Sequence, residues 1–148
     1  MSLEKDKRIL GLDFGRKRVG VAVSDILLMM AHARETVHYH KKSGLLKSLH
    51  ALIHAEDIGL IVIGLPRHLS GEESDMTAQV KNFATELQAH SSLPVITWDE
   101  RLSSRQAQRM LAAQESRKRR DKGAIDQAAA ILILQSYLDS RGRTKTNA

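Results

Sequence analysis

The chain has 148 residues, no cysteine, 3% aromatic residues and a formal net charge of +6. Its length suits one domain around one core, and the absence of cysteine excludes disulfides and thiolate metal sites and points to the cytosol. No apolar run is long enough for a membrane span, and the charged start MSLEKDKR leads into a strand pattern rather than a signal-peptide core.

In chain order, RILGLDF and RVGVAVS are β-rich runs joined by a short turn around Gly15 to Lys17, which predicts a hairpin, and ETVHYH follows as a third strand. These three strands are expected to lie antiparallel. SGLLKSLHALIHAED sets Leu45, Leu46, Leu49, Leu52 and Ile53 at helical spacing. GLIVIGLP is a continuous apolar run closed by Pro66, the pattern of a strand buried on both faces. From Glu73 to His90 a stripe of Met76, Val80, Phe83 and Leu87 predicts a second helix, with a capping box from Ser70 to Glu73. PVITW reads as another strand, and a helix opening at SSRQ turns Ala107, Met110 and Leu111 inward. A last helix is expected from Ala124 to Leu138, apolar nearly all round between Ala128 and Leu134 and therefore deeply buried. An antiparallel start followed by strand–helix alternation predicts an α/β domain with one mixed five-stranded sheet and helices on both faces.

That arrangement distributes three acids in a suggestive way. Asp13 closes the first strand, Glu100 follows VITW, and Asp126 sits in the first turn of the buried last helix. If the strands at 8, 59 and 94 run parallel through right-handed crossovers, Asp13 and Glu100 emerge at one edge of the sheet, and the start of the last helix need only pack there to complete a triad. An all-oxygen donor set suits Mg²⁺ or Mn²⁺. Singly, each acid has an ordinary structural reading: Asp13 as a turn residue, Glu100 as a partner of Arg101, Asp126 as a helix-start acid.

The positive charge is local. RKRRDK, residues 117 to 122, holds five cations against one acid, and the tail RGRTKTNA adds three more. Such clusters are the footprint expected for phosphate backbones, with a solvated basic loop as the alternative.

LGLDFGRKRVGVAVSD, IVIGLP, WDERLSS and DQAAAILILQSYL, in this order over nearly the whole chain, closely resemble the YqgF family of pre-16S rRNA nuclease and Holliday-junction-resolvase-like proteins. The resemblance implies a ribonuclease H-like fold for residues 1–140, with 141–148 as a basic flexible tail. It also implies a bacterial cytoplasmic location and a role in maturing the 5′ end of 16S ribosomal RNA, with pre-rRNA or branched DNA as the nucleic-acid partner and the ribosome or transcription machinery nearby. The family's three acidic positions fall on Asp13, Glu100 and Asp126, the acids reached above. Arg16 stands where family members more often carry a small residue, and RHLSGEES is an individual version of a variable loop.

Phosphodiester hydrolysis by such a site needs an activated water, neutralised phosphoryl charge and an in-line leaving oxygen, which two divalent ions about 4 Å apart supply. Asp13 would bridge the two ions, with Glu100 and Asp126 as their other ligands. Arg101, Arg117, Lys118, Arg119 and Arg120 are candidates to position the nucleic-acid backbone without reading sequence. Arg16, Lys17 and Arg18 at the hairpin and Arg67 after the fourth strand are further candidates. Two readings of other classes compete: an actin-like or sugar-kinase-like ATPase, for which one domain of this length is too short, and a nucleic-acid-binding module without catalysis. His50 and His54 share a helix face and His38 and His40 a strand face, but HALIH lacks the glutamate of HExxH. Trp98 reads as core rather than as a stacking platform.

Overall fold

The computed structural model describes residues 3–66, 75–99, 109, 112–113 and 123–146, with the side chains of 123–126 and 143–146 left out. Five strands, β1 (Arg8–Phe14), β2 (Arg18–Ser24), β3 (Ala31–His38), β4 (Ile58–Leu65) and β5 (Val95–Asp99), form one sheet in the order β3-β2-β1-β4-β5. β1 pairs antiparallel with β2 and β2 with β3, whereas β1 pairs parallel with β4 and β4 with β5. The expected mixed sheet is therefore present. Its central strands are buried on both faces, which is why β4 reads as an uninterrupted apolar run from Leu60 to Ile63.

Helices α1 (Lys42–Ala55) and α2 (Asp75–Ser91) cover one face, and α3 (Gly123–Thr146) covers the other. On the first face Leu45, Leu49 and Ile53 of α1 and Val80, Phe83 and Leu87 of α2 bury against Leu10, Leu12, Ile61 and Ile63. Phe14 stacks on Phe83 with ring centroids 4.5 Å apart. On the second face Ala130, Ile131, Leu134 and Leu138 of α3 bury against Ile9, Ala22, Leu60 and Val62, as the apolar run from Ala128 to Leu134 predicts. Alternation along the strands sets Ile9, Gly11 and Asp13 of β1 on the α3 face, together with Gly20 and Ala22 of β2.

The β1–β2 turn depends on Gly15. A β-carbon there would lie 2.6 Å from the carbonyl oxygen of Arg18, so the closely approaching backbone leaves no room for a side chain.

Two boundaries and one strand irregularity differ from the sequence reading. β3 begins at Ala31, four residues before ETVHYH, because pairing with β2 holds Ala31 to Arg34 although they lack the β-branched residues that mark a strand. A bulge in β3 follows, since Val21 pairs with Arg34 while Val19 pairs with Val37. Finally, α3 continues past Leu138 to Thr146, passing through Gly142 into the segment read as a tail. The Ser70–Glu73 capping box lies outside the described residues. So does most of the helix expected from SSRQ, of which Arg109, Ala112 and Ala113 are helical.

Candidate active site

Asp13 stands in the last turn of the β1 ladder, paired with Gly20 of β2. It is partly buried, at the C-terminal edge of the sheet's central strand. Continuing the β1–β4 register one residue beyond Leu12↔Ile63 brings Asp13 level with Gly64, and Gly64 pairs with Trp98. Two neighbours in this row are glycines, so the row carries little bulk around the carboxylate. β1, β4 and β5 are parallel, as the sequence reading requires, and Leu65↔Asp99 brings the end of β5 to the edge where β1 ends.

Asp126 lies on α3, roughly two turns before Leu134. Leu134 packs directly over Gly11, two residues before Asp13 on the same strand face. The neighbouring Gln127 donates through Nε2 to the carbonyl oxygen of Arg34, 3.2 Å away. Arg34 pairs with Val21, and Val21 with Leu12. Gln127 is thereby tied to β3 in the register row of Leu12, two strands from β1, and the Asp126 side chain lies outside the described residues. Glu100 directly follows Asp99 and lies outside them, as do Arg67, Arg101, Arg117, Lys118, Arg119 and Arg120. Among the described residues no three His, Cys, Asp or Glu side chains converge on a metal-binding position. The donor set named by the sequence, three carboxylates with no sulfur or imidazole, fits a hard divalent cation.

Arg16, Lys17 and Arg18 project from the β1–β2 turn and are exposed. Arg18 pairs with His38 of β3 and, by alternation with Gly20, shares the strand face of Asp13. Arg16 and Lys17 join His38, Tyr39 and His40 in lining a cavity of about 570 Å³. Tyr39 anchors this corner twice: its amide donates to the Lys17 carbonyl oxygen at 3.0 Å, and its phenol donates to the Gly15 carbonyl oxygen at 2.5 Å. Burial pushes the Tyr39 phenol above its ordinary value, which keeps the donating proton in place. The sequence reading weighs His38 and His40 only as a pair on one strand face; their place beside the cationic turn follows from the Arg18↔His38 pairing and the Tyr39 hydrogen bonds, which spacing does not mark.

Trp98 and the α1 histidines have contacts of their own. Trp98 packs edge-on against Tyr137 and donates through Nε1 to Ser136 Oγ at 3.0 Å, so it ties β5 to α3. His50 and His54 sit edge to face on α1, with His90 of α2 beside His50.

The comparison with known proteins follows this geometry. A family model described as RuvX, Holliday junction resolvase, matches residues 7–140. The chain belongs to the RuvX family. A relative from Geobacillus kaustophilus (strain HTA426), named "Putative pre-16S rRNA nuclease", is 47% identical over 137 residues, covering 90% of this chain and 99% of the relative. One of the same name from Chlorobaculum tepidum is 46% identical over 145 residues, covering 95% of this chain and 99% of the relative. Among solved structures, T. thermophilus RuvC in complex with a Holliday junction substrate aligns with a TM-score of 0.55 at 17% identity, over 93% of this chain and 97% of RuvC. The fowlpox virus resolvase, also bound to Holliday junction DNA, aligns at 0.57 and 12% identity, over 90% and 98%. At such identities these two alignments speak for the fold, which is ribonuclease H-like. Membership of the RuvX family makes this a chain of a nuclease family, acting on phosphodiester bonds. Among the described residues no helix is long and apolar enough to cross a membrane.

Proposed function

We propose that this chain is a divalent-metal-dependent nuclease that trims the 5′ end of pre-16S rRNA during ribosome assembly in the bacterial cytoplasm. The observation that carries the reading is the place of Asp13: a carboxylate at the C-terminal edge of the central strand, in a glycine-lined row beside α3, within the stretch matched to the RuvX family. The rRNA substrate is taken from the names of relatives more than 40% identical over nearly their full length.

Asp13, Glu100 and Asp126 would hold Mg²⁺ or Mn²⁺, as two ions. When bound, such ions lower the pKa of a coordinated water and neutralise charge on the phosphoryl oxygens. The chain's own residues supply the rest. The β1 ladder fixes Asp13, and the packing of Leu134 over Gly11 sets the height of α3 above the sheet. Arg16, Lys17 and Arg18, with Arg67, Arg101 and Arg117 to Arg120, hold the phosphate backbone by charge and without base selection. Transcription or ribosomal proteins would then meet this chain through a shared RNA.

The second reading, cleavage of branched DNA, is favoured by the description of the family itself. The two are separated by incubating the purified chain with pre-16S RNA, single-stranded DNA and a four-way DNA junction, each with Mg²⁺, Mn²⁺ or EDTA. Metal-dependent trimming of the RNA with an intact junction supports the first reading. Junction cleavage alone supports the second, and binding without cleavage of any substrate would leave a non-catalytic module.

A further inference from the structure

We propose that the cavity lined by Arg16, Lys17, His38, Tyr39 and His40 is a nucleotide-binding subsite, holding one unit of the substrate strand at a distance from the bond that is cut. The proposal rests on the reading of the chain as a nuclease acting at Asp13, and it adds three residues to the substrate path that no sequence motif marks.

The cavity is of a size that holds a small ligand, and about 570 Å³ exceeds what a bare phosphate fills. Among the described residues its lining has no carboxylate. Among the described residues neither Arg16 nor Lys17 forms an ion pair, so both charges remain available to an anion. The two imidazoles are exposed and the phenol is half-buried, which offers ring faces and edges for a base beside the two cations for its phosphate.

The corner is also built to stay in place. The two Tyr39 hydrogen bonds bind the strand end to the turn that carries both cations. Gly15 permits the tight approach that brings them together. α1 begins at Lys42, just past His40, and no side chain caps its first turn, so the positive end of a 14-residue helix adds to the local field.

The position suits a strand running to Asp13. β3 and β1 are separated only by β2, a distance of roughly 10 Å across the sheet, about the axial rise of three nucleotides in a duplex strand. Arg18 and His38 are paired, and Arg18 shares the Asp13 face, so the two positions are joined across β2. The phosphate of the captured nucleotide would sit on Arg16 and Lys17, and its base against His38 and His40.

The test is binding of a short fluorescein-labelled single-stranded RNA by the full chain in EDTA, at alkaline pH, over a series of salt concentrations. Arg16→Ala with Lys17→Ala should weaken binding and take up to about 1.4 from the log–log salt slope, about 0.7 for each single-strand phosphate contact. His38→Ala with His40→Ala should weaken binding about fivefold or more while the slope stays near that of the parent, because stacking releases no counterions. Lys47→Ala, on the outer face of α1, should change neither. Where an alanine pair lowers the melting temperature, the glutamine pair at the same positions takes its place. An unchanged slope in the cation variant, or parental affinity in the histidine variant, overturns the proposal. Because the assay needs no cleavage, the two readings fail separately. A chain that shows this binding pattern but never cuts RNA or DNA with metal keeps the subsite and loses the nuclease reading; a chain that cuts, with an unchanged slope, does the reverse.

Discussion

Gly11 of β1 and Leu134 of α3 are in contact across the sheet–helix interface, so closely that a β-carbon on residue 11 would stand 2.6 Å from the Leu134 β-carbon. Gly11 is two residues from Asp13, and α3 carries Asp126. The same contact that packs the second core layer therefore sets the helix height at the candidate site. Gly11→Ala forces α3 outward, and it is expected to cost about 1–3 kcal/mol by overpacking. A melting curve checks this. Gly→Ala in an unstrained position stabilises by up to about 1 kcal/mol through the unfolded chain, so a raised melting temperature would contradict the contact. Cleavage by the folded variant should also fall, since the start of α3 moves relative to Asp13.

Gln135 is fully buried, and both ends of its amide are used. Its Oε1 accepts from the Ala31 amide at 2.8 Å, while Nε2 donates to the Met29 carbonyl oxygen at 2.8 Å and to Asp139 Oδ1 at 2.9 Å. One side chain thus pins the loop between β2 and β3 to α3, although that loop exposes Ile26, Leu27 and Met29. Gln135→Leu preserves bulk but strands the buried Ala31 N–H, at an expected cost of about 1–3 kcal/mol. Faster amide exchange at Ala31 should accompany the lower stability, and an unchanged exchange rate would argue against this anchor.

The legible parts of the molecule are those whose residues state their own environment. β1, β2 and β4 are apolar runs and the α1 and α2 stripes show helical spacing, so the mixed sheet and these two helices follow from periodicity, whereas the order of the strands is a finding of the structure. What periodicity hides is decided by contacts. Ala31 to Arg34 are strand because β2 pairs with them. Residues 141 and 142 are helical although Gly142 and the nearby cations suggest a tail. Arg141 lies with its guanidinium 5.9 Å from the Tyr137 ring centroid, and its Nη1 is 3.4 Å from the Tyr137 hydroxyl. The three acids are an expectation from the ends of predicted elements, and of them Asp13 has its side chain among the described residues, whereas the cavity beside Arg16 comes from the Arg18↔His38 pairing and could not be read from spacing.

Metal should stabilise the folded chain by mass action. At a Mg²⁺ or Mn²⁺ concentration about a hundred times Kd the gain is about 2.7 kcal/mol, as expected if Asp13, Glu100 and Asp126 form one donor set in the folded chain that the unfolded chain lacks. The variant Asp13→Asn, Glu100→Gln, Asp126→Asn should gain nothing under the same conditions. Equal melting shifts in the two proteins would locate the ion elsewhere on the surface.

The most direct measurement is cleavage of pre-16S RNA by the wild-type chain and by Asp13→Asn, side by side with Mg²⁺ and with EDTA. The substitution keeps the size and strand setting of the side chain while it removes the charge and turns one accepting oxygen into a donating NH2, so circular dichroism should be unchanged. Loss of even an indirect partner of a metal ligand costs about 10–100-fold, and loss of a direct one should cost at least about a hundredfold. Cleavage by the wild type that requires Mg²⁺, with Asp13→Asn reduced to the EDTA background, is the expected result. A folded Asp13→Asn that cuts at the wild-type rate would contradict the account, because it would remove from the chemistry the one acid whose place in the sheet is fixed.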